Sequence, residues 1–383
     1  RLRAAHRRLE RSWLRLDPEG GGAEPLAALG FGFSPEPASD ALGLGSARLW
    51  VPVVLLCQEG SRVSLICSAS WQPARSRPAE RRRWLAQVGP ALCALLGPGE
   101  GARPRPAGRP VPRADDDATG QWLARAERAV AALRRRELEK VVLTRSLEVA
   151  LPAPVPPMDL LDWLGRHYPG CTQFACRGRD ATLLGATPER LVSLAGDRAV
   201  ADAIAGTAPC AAIEADGHRA GEALLGDPKL QVEHAVVVRD VAATLAPWCE
   251  RLNVPGEPQL LTLPRLRHLW TPVHGVVRRG VSLLDLVGAL HPTPAVGGLP
   301  RQEALQWLQR EGEGGRGWYT GGTGWIGPAG DGEVVVSLRC ALLRGSQATL
   351  YAGAGLVADS GPEQELAETE WKLATMLAAL EAA

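Results

Sequence analysis

The chain has 383 residues, 45% of them apolar, enough to bury a sizeable core in one large domain or in two or three smaller ones. Its 43 Lys and Arg stand against 42 Asp and Glu, so no global field draws it to nucleic acid or to an anionic membrane. No apolar run approaches the roughly 18–20 residues of a spanning helix. The Arg-rich start, RLRAAHRRLERSWLRL, lacks a Met and reads as a surface helix or a shortened first segment, with a transit peptide as the alternative. ARLWVPVVLLC and SRVSLICSASW predict two strands joined by a polar Gly-Ser turn. The stretch 97–120, rich in Pro, Gly and Arg, predicts an exposed loop. Thr119 caps an expected helix that runs to about Leu138, and KVVLTRSLEVAL follows as a strand. Residues 174–206 read as a meander of short strands, and 227–247 as a helix. Further helical stretches are expected near 283–290 and 300–311. EVVVSLRCALLRGSQATLYAG reads as a hairpin feeding a final helix.

The cysteines at 57, 67, 93, 171, 176, 210, 249 and 340 form no C-x-x-C pair, so they are expected to be reduced core residues of a cytosolic protein. There is no internal repeat. Long antiparallel stretches interrupted by helices predict an α+β fold with large, mostly antiparallel sheets flanked by helices. Residues 1–98 are expected to form an N-terminal α/β part of the same fold, 99–118 the Pro/Gly/Arg-rich loop, and 119–383 the main catalytic unit.

Several charged residues stand where apolar ones would be expected. Leu230, Glu233, Val237 and Val241 share one stripe of the 227–247 helix. A carboxylate on a buried face costs several kcal/mol unless it is paired or holds a cation. Glu233 therefore either pairs at a rim or coordinates a metal. In YAGAGLVADSGPEQELAETEWK, Glu365, Glu368 and Lys372 fall in one narrow sector at about 100° per residue. Glu368 and Lys372 also make an ordinary surface pair four residues apart. Gly353 and Gly355 before that helix suggest a turn cradling an anion, but the acidic helix start repels a bare phosphate and favours carboxylates with a metal. Mg²⁺ prefers one or two carboxylates, waters and an anionic substrate. Lys140 opens an apolar strand, and Glu189 follows a Pro at the start of another. Buried, such a Lys can act as a base and such a Glu as an acid. The plainer reading has Lys140 snorkelling to water and Glu189 pairing with Arg190.

These residues lie in ordered blocks: EKVVLTR, LLGATPERLVS, AIAGT, KLQVEHAVVV, LRHLWTPVHG, LHPTPAVGGLPRQEA, RGWYTGGTGW, EVVVSLRCAL and YAGAGLVADSGPEQELAETEWK. Over residues 115–378 the sequence resembles the chorismate-utilising enzymes, and within them the isochorismate synthases; the first 115 residues resemble them loosely. The resemblance implies an anthranilate synthase component I-like fold. It implies that Lys140 activates a water that attacks C2 of chorismate and that Glu189 protonates the departing C4 hydroxyl. It implies that Glu233 and Glu368 hold Mg²⁺, with Glu365 helping through water. Arg339, Tyr351, Lys372 and the backbone N–H groups of Gly353 and Gly355 would meet the substrate carboxylates, and Gly206, Thr207 and His268 would line the pocket.

The relatives divide by nucleophile. Those using ammonia have a Gln-like or small residue at the place of Lys140, and the aminodeoxychorismate enzymes carry a Lys at the place of Ala205. No glutaminase segment is present, so the expected reaction is a water-using isomerisation in a cytoplasmic monomer. Salicylate synthases share the Lys but typically have Thr at the place of Ala295, so isochorismate is the expected product and salicylate the alternative. GLPRQEA and RGWY resemble the menaquinone-pathway enzymes more than the siderophore ones. A catalytically inactive homologue acting as a binding subunit is the remaining alternative, although every catalytic position is intact.

Overall fold

The structure, a computed structural model, describes residues 2–12, 24–35, 40–69, 77–96, 108–113, 116–210 and 224–383. Most of the 97–120 loop lies outside them. Among the described residues, the runs rich in Val, Leu and Ala assemble into two large antiparallel sheets and one hairpin. The larger sheet has nine strands. It runs from Cys249–Asn253 through Leu266–Val277, Arg198–Pro209, Arg190–Ala195, Gly332–Val336, Gly322–Ile326 and Ala27–Phe31 to Ala47–Trp50, and Gln259–Thr262 joins at Leu266–Val277. The seven-stranded sheet runs Gly298–Leu299, Lys140–Ala150, Gln347–Leu356, Cys340–Arg344, Thr182–Thr187 and Thr172–Arg177, with Val111–Pro112 paired to Lys140–Ala150.

Helices cover the sheets. Pro228–Leu245 and Leu283–Leu290 close an apolar core over the nine-stranded sheet through Val237, Val241, Leu245, Leu283, Leu286 and Leu290. Pro157–His167 and Pro362–Ala382 do the same for the seven-stranded sheet through Leu160, Leu164, Leu373, Met376 and Leu380. Asp116–Arg134 and Arg301–Arg310 pack against Val141, Leu143, Ala354 and Leu356. No helix of the described residues is long and apolar enough to cross a membrane.

The chain passes between the two sheets at two neighbouring places. Thr182–Thr187 belongs to the smaller sheet and Arg190–Ala195 to the larger, so Pro188 and Glu189 form one crossing. Gly332–Val336 and Cys340–Arg344 likewise belong to different sheets, and Ser337–Arg339 forms the second crossing. The two are tied together, because Val336 N donates to Glu189 O at 3.0 Å and Ala186 N to Arg339 O at 3.2 Å. Arg339 takes φ +48°, a left-handed turn that costs a non-glycine residue of order 1 kcal/mol. Its close approach requires Gly185, where a Cβ would stand 2.5 Å from Arg339 O.

Some expectations give way. ARLWVPVVLLC is two strands: Ala47–Trp50 joins the large sheet, while Val54–Glu59 pairs with Arg62–Cys67. EVVVSLRCALLRGSQATLYAG is not one hairpin, because its first strand leaves for the other sheet at Arg339. The helix expected from Thr119 begins at Asp116 and ends at Arg134, where the chain must turn to enter the strand at Lys140. Gly353 and Gly355 lie in the Gln347–Leu356 strand, not in a turn. The cysteines divide: Cys171, Cys176, Cys249 and Cys340 are buried, whereas Cys67 and Cys93 are exposed.

Candidate active site

The site begins with a buried ion pair. Lys140, 1% exposed, opens its strand facing the Pro228–Leu245 helix, and its Nζ donates to Glu233 Oε1 at 2.9 Å. This pairing resolves why Glu233 sits on an apolar stripe, and it rules out a snorkelling Lys140. Gly355 makes the contact possible: a Cβ there would stand 2.5 Å from Glu233 Oε1 and 2.8 Å from Lys140 Cε.

The strand carrying the glycines turns its backbone toward the same space. Gly353 pairs with Thr144 and Gly355 with Val142 across an antiparallel ladder. Val142 N donates away from that ladder to Gly297 O, and Thr144 N donates to the Glu313 carboxylate. Gly353 and Gly355 therefore occupy non-hydrogen-bonded pairs, and their own N–H and C=O groups point the other way. On that side the next strand has already ended, its last partner being Leu350. The Gly353 carbonyl accepts from Lys372 Nζ at 2.7 Å.

Three carboxylates gather around this edge, each on a lysine. Glu233 holds Lys140, Glu368 accepts from Lys372 at 2.5 Å, and Glu365 accepts from Lys229 at 2.5 Å and from Ser360 Oγ at 2.8 Å. The ordinary pair four residues apart is thus formed, but it faces the site. Burial, then the neighbouring Glu368 carboxylate, pushes Glu365 up to about 7. Among the described residues no three ligating groups are close enough together to hold a metal directly. In kind, however, the donor set suits a hard divalent cation: buried carboxylate oxygens whose mutual repulsion a cation would relieve.

At the crossings, Glu189 is 4% exposed, and among the described residues none donates to its carboxyl. Burial, then the Asp202 carboxylate, raises Glu189 to about 8, so it holds its proton at neutral pH. Arg190 does not pair with it; its guanidinium meets Glu333 at 3.1 Å. Arg339 Nη2 donates to His268 Nε2 at 3.0 Å, which fixes Nδ1 as the protonated nitrogen, donating to Thr207 Oγ1 at 3.1 Å. Burial and the Arg339 charge hold His268 neutral, well below its usual range. Arg339 Nη1 is buried and has no partner among the described residues, a donor left for a ligand. Gly206, at φ +77°, makes the bulge beside Thr207. The Tyr351 ring stacks on Tyr319 at 5.0 Å.

These groups converge on one cleft enclosing about 680 Å³ of empty space, open water included. Every site residue expected from the sequence lines it except Glu365, which stands behind Glu368 on the same helix. The structure adds Tyr319, Thr320 and Ala295 to the lining. Lys229 and Ser360 also emerge as the groups that orient Glu365. Tyr319 and Thr320 belong to the RGWYTGGTGW block and Lys229 to KLQVEH, but a block match does not say which of its side chains turn inward.

Residues 2–381 match the family of chorismate binding enzymes. The chain is 35% identical over 384 residues to the salicylate biosynthesis isochorismate synthase of Pseudomonas aeruginosa, covering 98% of this chain and 79% of that protein. It is 39% identical over 280 residues to isochorismate synthase DhbC of Bacillus subtilis, covering 71% and 69%. The structure of MenF, the menaquinone-specific isochorismate synthase of Escherichia coli, superposes with a TM-score of 0.78 at 28% identity, covering 98% of this chain and 82% of that one. Anthranilate synthase component I of Streptococcus pneumoniae shares the fold, with a TM-score of 0.76 at 20% identity over 97% and 85% of the two chains. With this cleft at the centre of its two sheets, the chain belongs to the chorismate binding enzymes.

Proposed function

We propose that the chain is a magnesium-dependent isochorismate synthase, adding water at C2 of chorismate and expelling the C4 hydroxyl. The observation that carries this reading is the meeting of a buried Lys at the start of one sheet's strand and a proton-holding Glu at the crossing between the sheets, in one cleft of cationic and backbone donors. Chorismate is a dianion. Arg339, Lys372 and the Gly353 and Gly355 edge would receive its carboxylates. Lys140, in its neutral amine form, takes a proton from the water that bonds to C2, the ring double bonds shift, and Glu189 gives its proton to the C4 oxygen, which leaves as water. The product is an isomer of the substrate. Each proton transfer is typically worth about 10²–10⁴-fold. Glu233 and Glu368, with Glu365 behind them, would hold Mg²⁺, which supplies charge neutralisation and a template for the ring carboxylate.

The same reading has the chain work as a cytoplasmic monomer without a glutaminase partner, and feed menaquinone synthesis; the GLPRQEA and RGWY blocks support the last. The test is to incubate the purified chain with chorismate, with and without Mg²⁺. Products are separated by mass, and pyruvate is assayed. The expected result is a Mg²⁺-dependent product of unchanged mass without pyruvate, abolished in Lys140→Ala and Glu189→Gln and restored by neither. Pyruvate with salicylate would make the chain a salicylate synthase, and a folded chain without turnover would make it an inactive homologue. Growth of a menaquinone-requiring strain lacking its own isochorismate synthase, on receiving this gene, checks that isochorismate is the product made in the cell.

A further inference from the structure

Glu189 has a second carboxylate close by that the reaction does not use. Asp202 lies on the Arg198–Pro209 strand, 7% exposed. Its Oδ1 accepts from Trp270 Nε1 at 2.9 Å and its Oδ2 from Arg190 N at 3.2 Å. The second donor is the peptide N–H that joins Glu189 to Arg190, so the Asp202 carboxylate sits against the backbone of the proposed acid. Two donors satisfy Asp202 as an anion, while none of the described residues donates to the Glu189 carboxyl. The Arg190 guanidinium, whose charge favours the ionised Asp202, also pairs with Glu333 at 3.1 Å.

We propose that Asp202 is a positioning residue for the general acid: an anchored, ionised carboxylate that keeps the proton on Glu189 between turnovers. The inference rests on Glu189 being the acid. The charged groups facing Glu189 are Asp202 on the neighbouring strand, Lys140, Lys372 and Arg339. The three cations favour its ionised form, so burial and Asp202 must together outweigh them. When the substrate carboxylates engage Arg339 and Lys372, that opposition falls and Asp202 acts on Glu189 with less compensation. Environments that push two neighbouring carboxyls apart are how one fold keeps one of them an acid at neutral pH. Burial, with the Glu333 charge, raises Asp202 itself, and the Trp270 donor, the Arg190 charge and the Arg190 N–H limit that rise.

The experiment is the pH profile of kcat/KM for the magnesium-loaded enzyme, whose alkaline limb reports the free enzyme's acid. In Asp202→Asn the limb should move down by about one pH unit, leaving activity at pH 8 roughly 5–10-fold below the wild type. At pH 6, activity and the magnesium titration should stay within about twofold. Asp202→Glu, which keeps the charge, should hold the limb near its wild-type place. An unmoved limb in Asp202→Asn overturns the inference. Glu189→Gln separates the two failures: if that variant keeps turnover, the acid assignment falls with it, whereas a dead Glu189→Gln beside an unmoved Asp202→Asn limb removes only the role of Asp202. Should Asp202→Asn fail to fold, infrared spectra at pH 7 decide on folded proteins. The wild type should show a protonated carboxyl component, beyond any from Glu365, that Glu189→Gln lacks, and persistence of the full band in that variant puts the proton elsewhere and overturns the proposal.

Discussion

Gly355 shows what single residues contribute to the site. The Lys140–Glu233 contact fills the space its side chain would need, so Gly355→Ala must push the two groups apart or shift the strand. Small displacements of catalytic groups are costly, and a 1 Å misplacement can cost on the order of 100-fold in rate. Gly355→Ala is therefore expected to lower kcat by about that factor and to lower the melting temperature as well; near-normal turnover would mean that the Lys140–Glu233 geometry is not the working one. Lys140 and Glu233 stand 93 positions apart in sequence, so no spacing rule could have paired them. Their shared anomaly was visible: Lys140 opens an apolar run and Glu233 interrupts an apolar stripe, and such charges find partners.

Among the elements, the Pro228–Leu245 helix brings Glu233 and Lys229 to the site, and its start is fixed by Asp227, whose side chain accepts from Leu230 N at 3.1 Å. Removing such a cap costs about 1 kcal/mol. Asp227→Ala should lower the melting temperature by roughly 1–3 °C with turnover at low temperature retained; an unchanged melting curve would show that packing on the sheet, not the cap, sets this helix start. The helix was legible because its period and its Asp-Pro start agree. The Gly353–Gly355 strand was misread because two glycines look like a turn in isolation. Only the partner strand at Lys140–Ala150 and the need for close approach make them extended backbone. The break in EVVVSLRCAL at Arg339 was hidden for a related reason: alternation continues through it, while the change of sheet is decided by where each half finds a partner.

For the whole molecule, the buried ionisable groups set the pH dependence of stability. His234 and His291 are held to about 4 by burial, and His268 lies well below its usual range. Between about 4 and 6.5 the unfolded chain binds their protons and the folded one does not, so these groups make stability rise with pH up to about 6.5. Glu189, raised to about 8, and Glu365, raised to about 7, act in the opposite sense. Above about 4.5 the folded chain keeps protons that the unfolded chain releases, so their contribution falls with pH until about 8. Above 6.5, of these five groups, the carboxyls alone remain in play. The melting temperature is expected to decline between pH 6.5 and 8, and Glu189→Gln should flatten that decline; a rise over the same window, or an unaltered slope in the variant, would contradict it.

The sequence by itself determined the fold class, the places of the strongly periodic elements, and the residue types that could do acid–base work beside a cation. These follow from local pattern and from the cost of burying unpaired charge, both carried by neighbours in the chain. Only the tertiary structure decided that Glu189 and Arg339 stand at the two crossings between sheets, that Glu233, Glu365 and Glu368 each rest on a lysine, and that Asp202 lies beside the proton-holding Glu189. Those relations depend on which strands find each other across long stretches of chain, a choice made by the burial of whole faces rather than by any short run of residues.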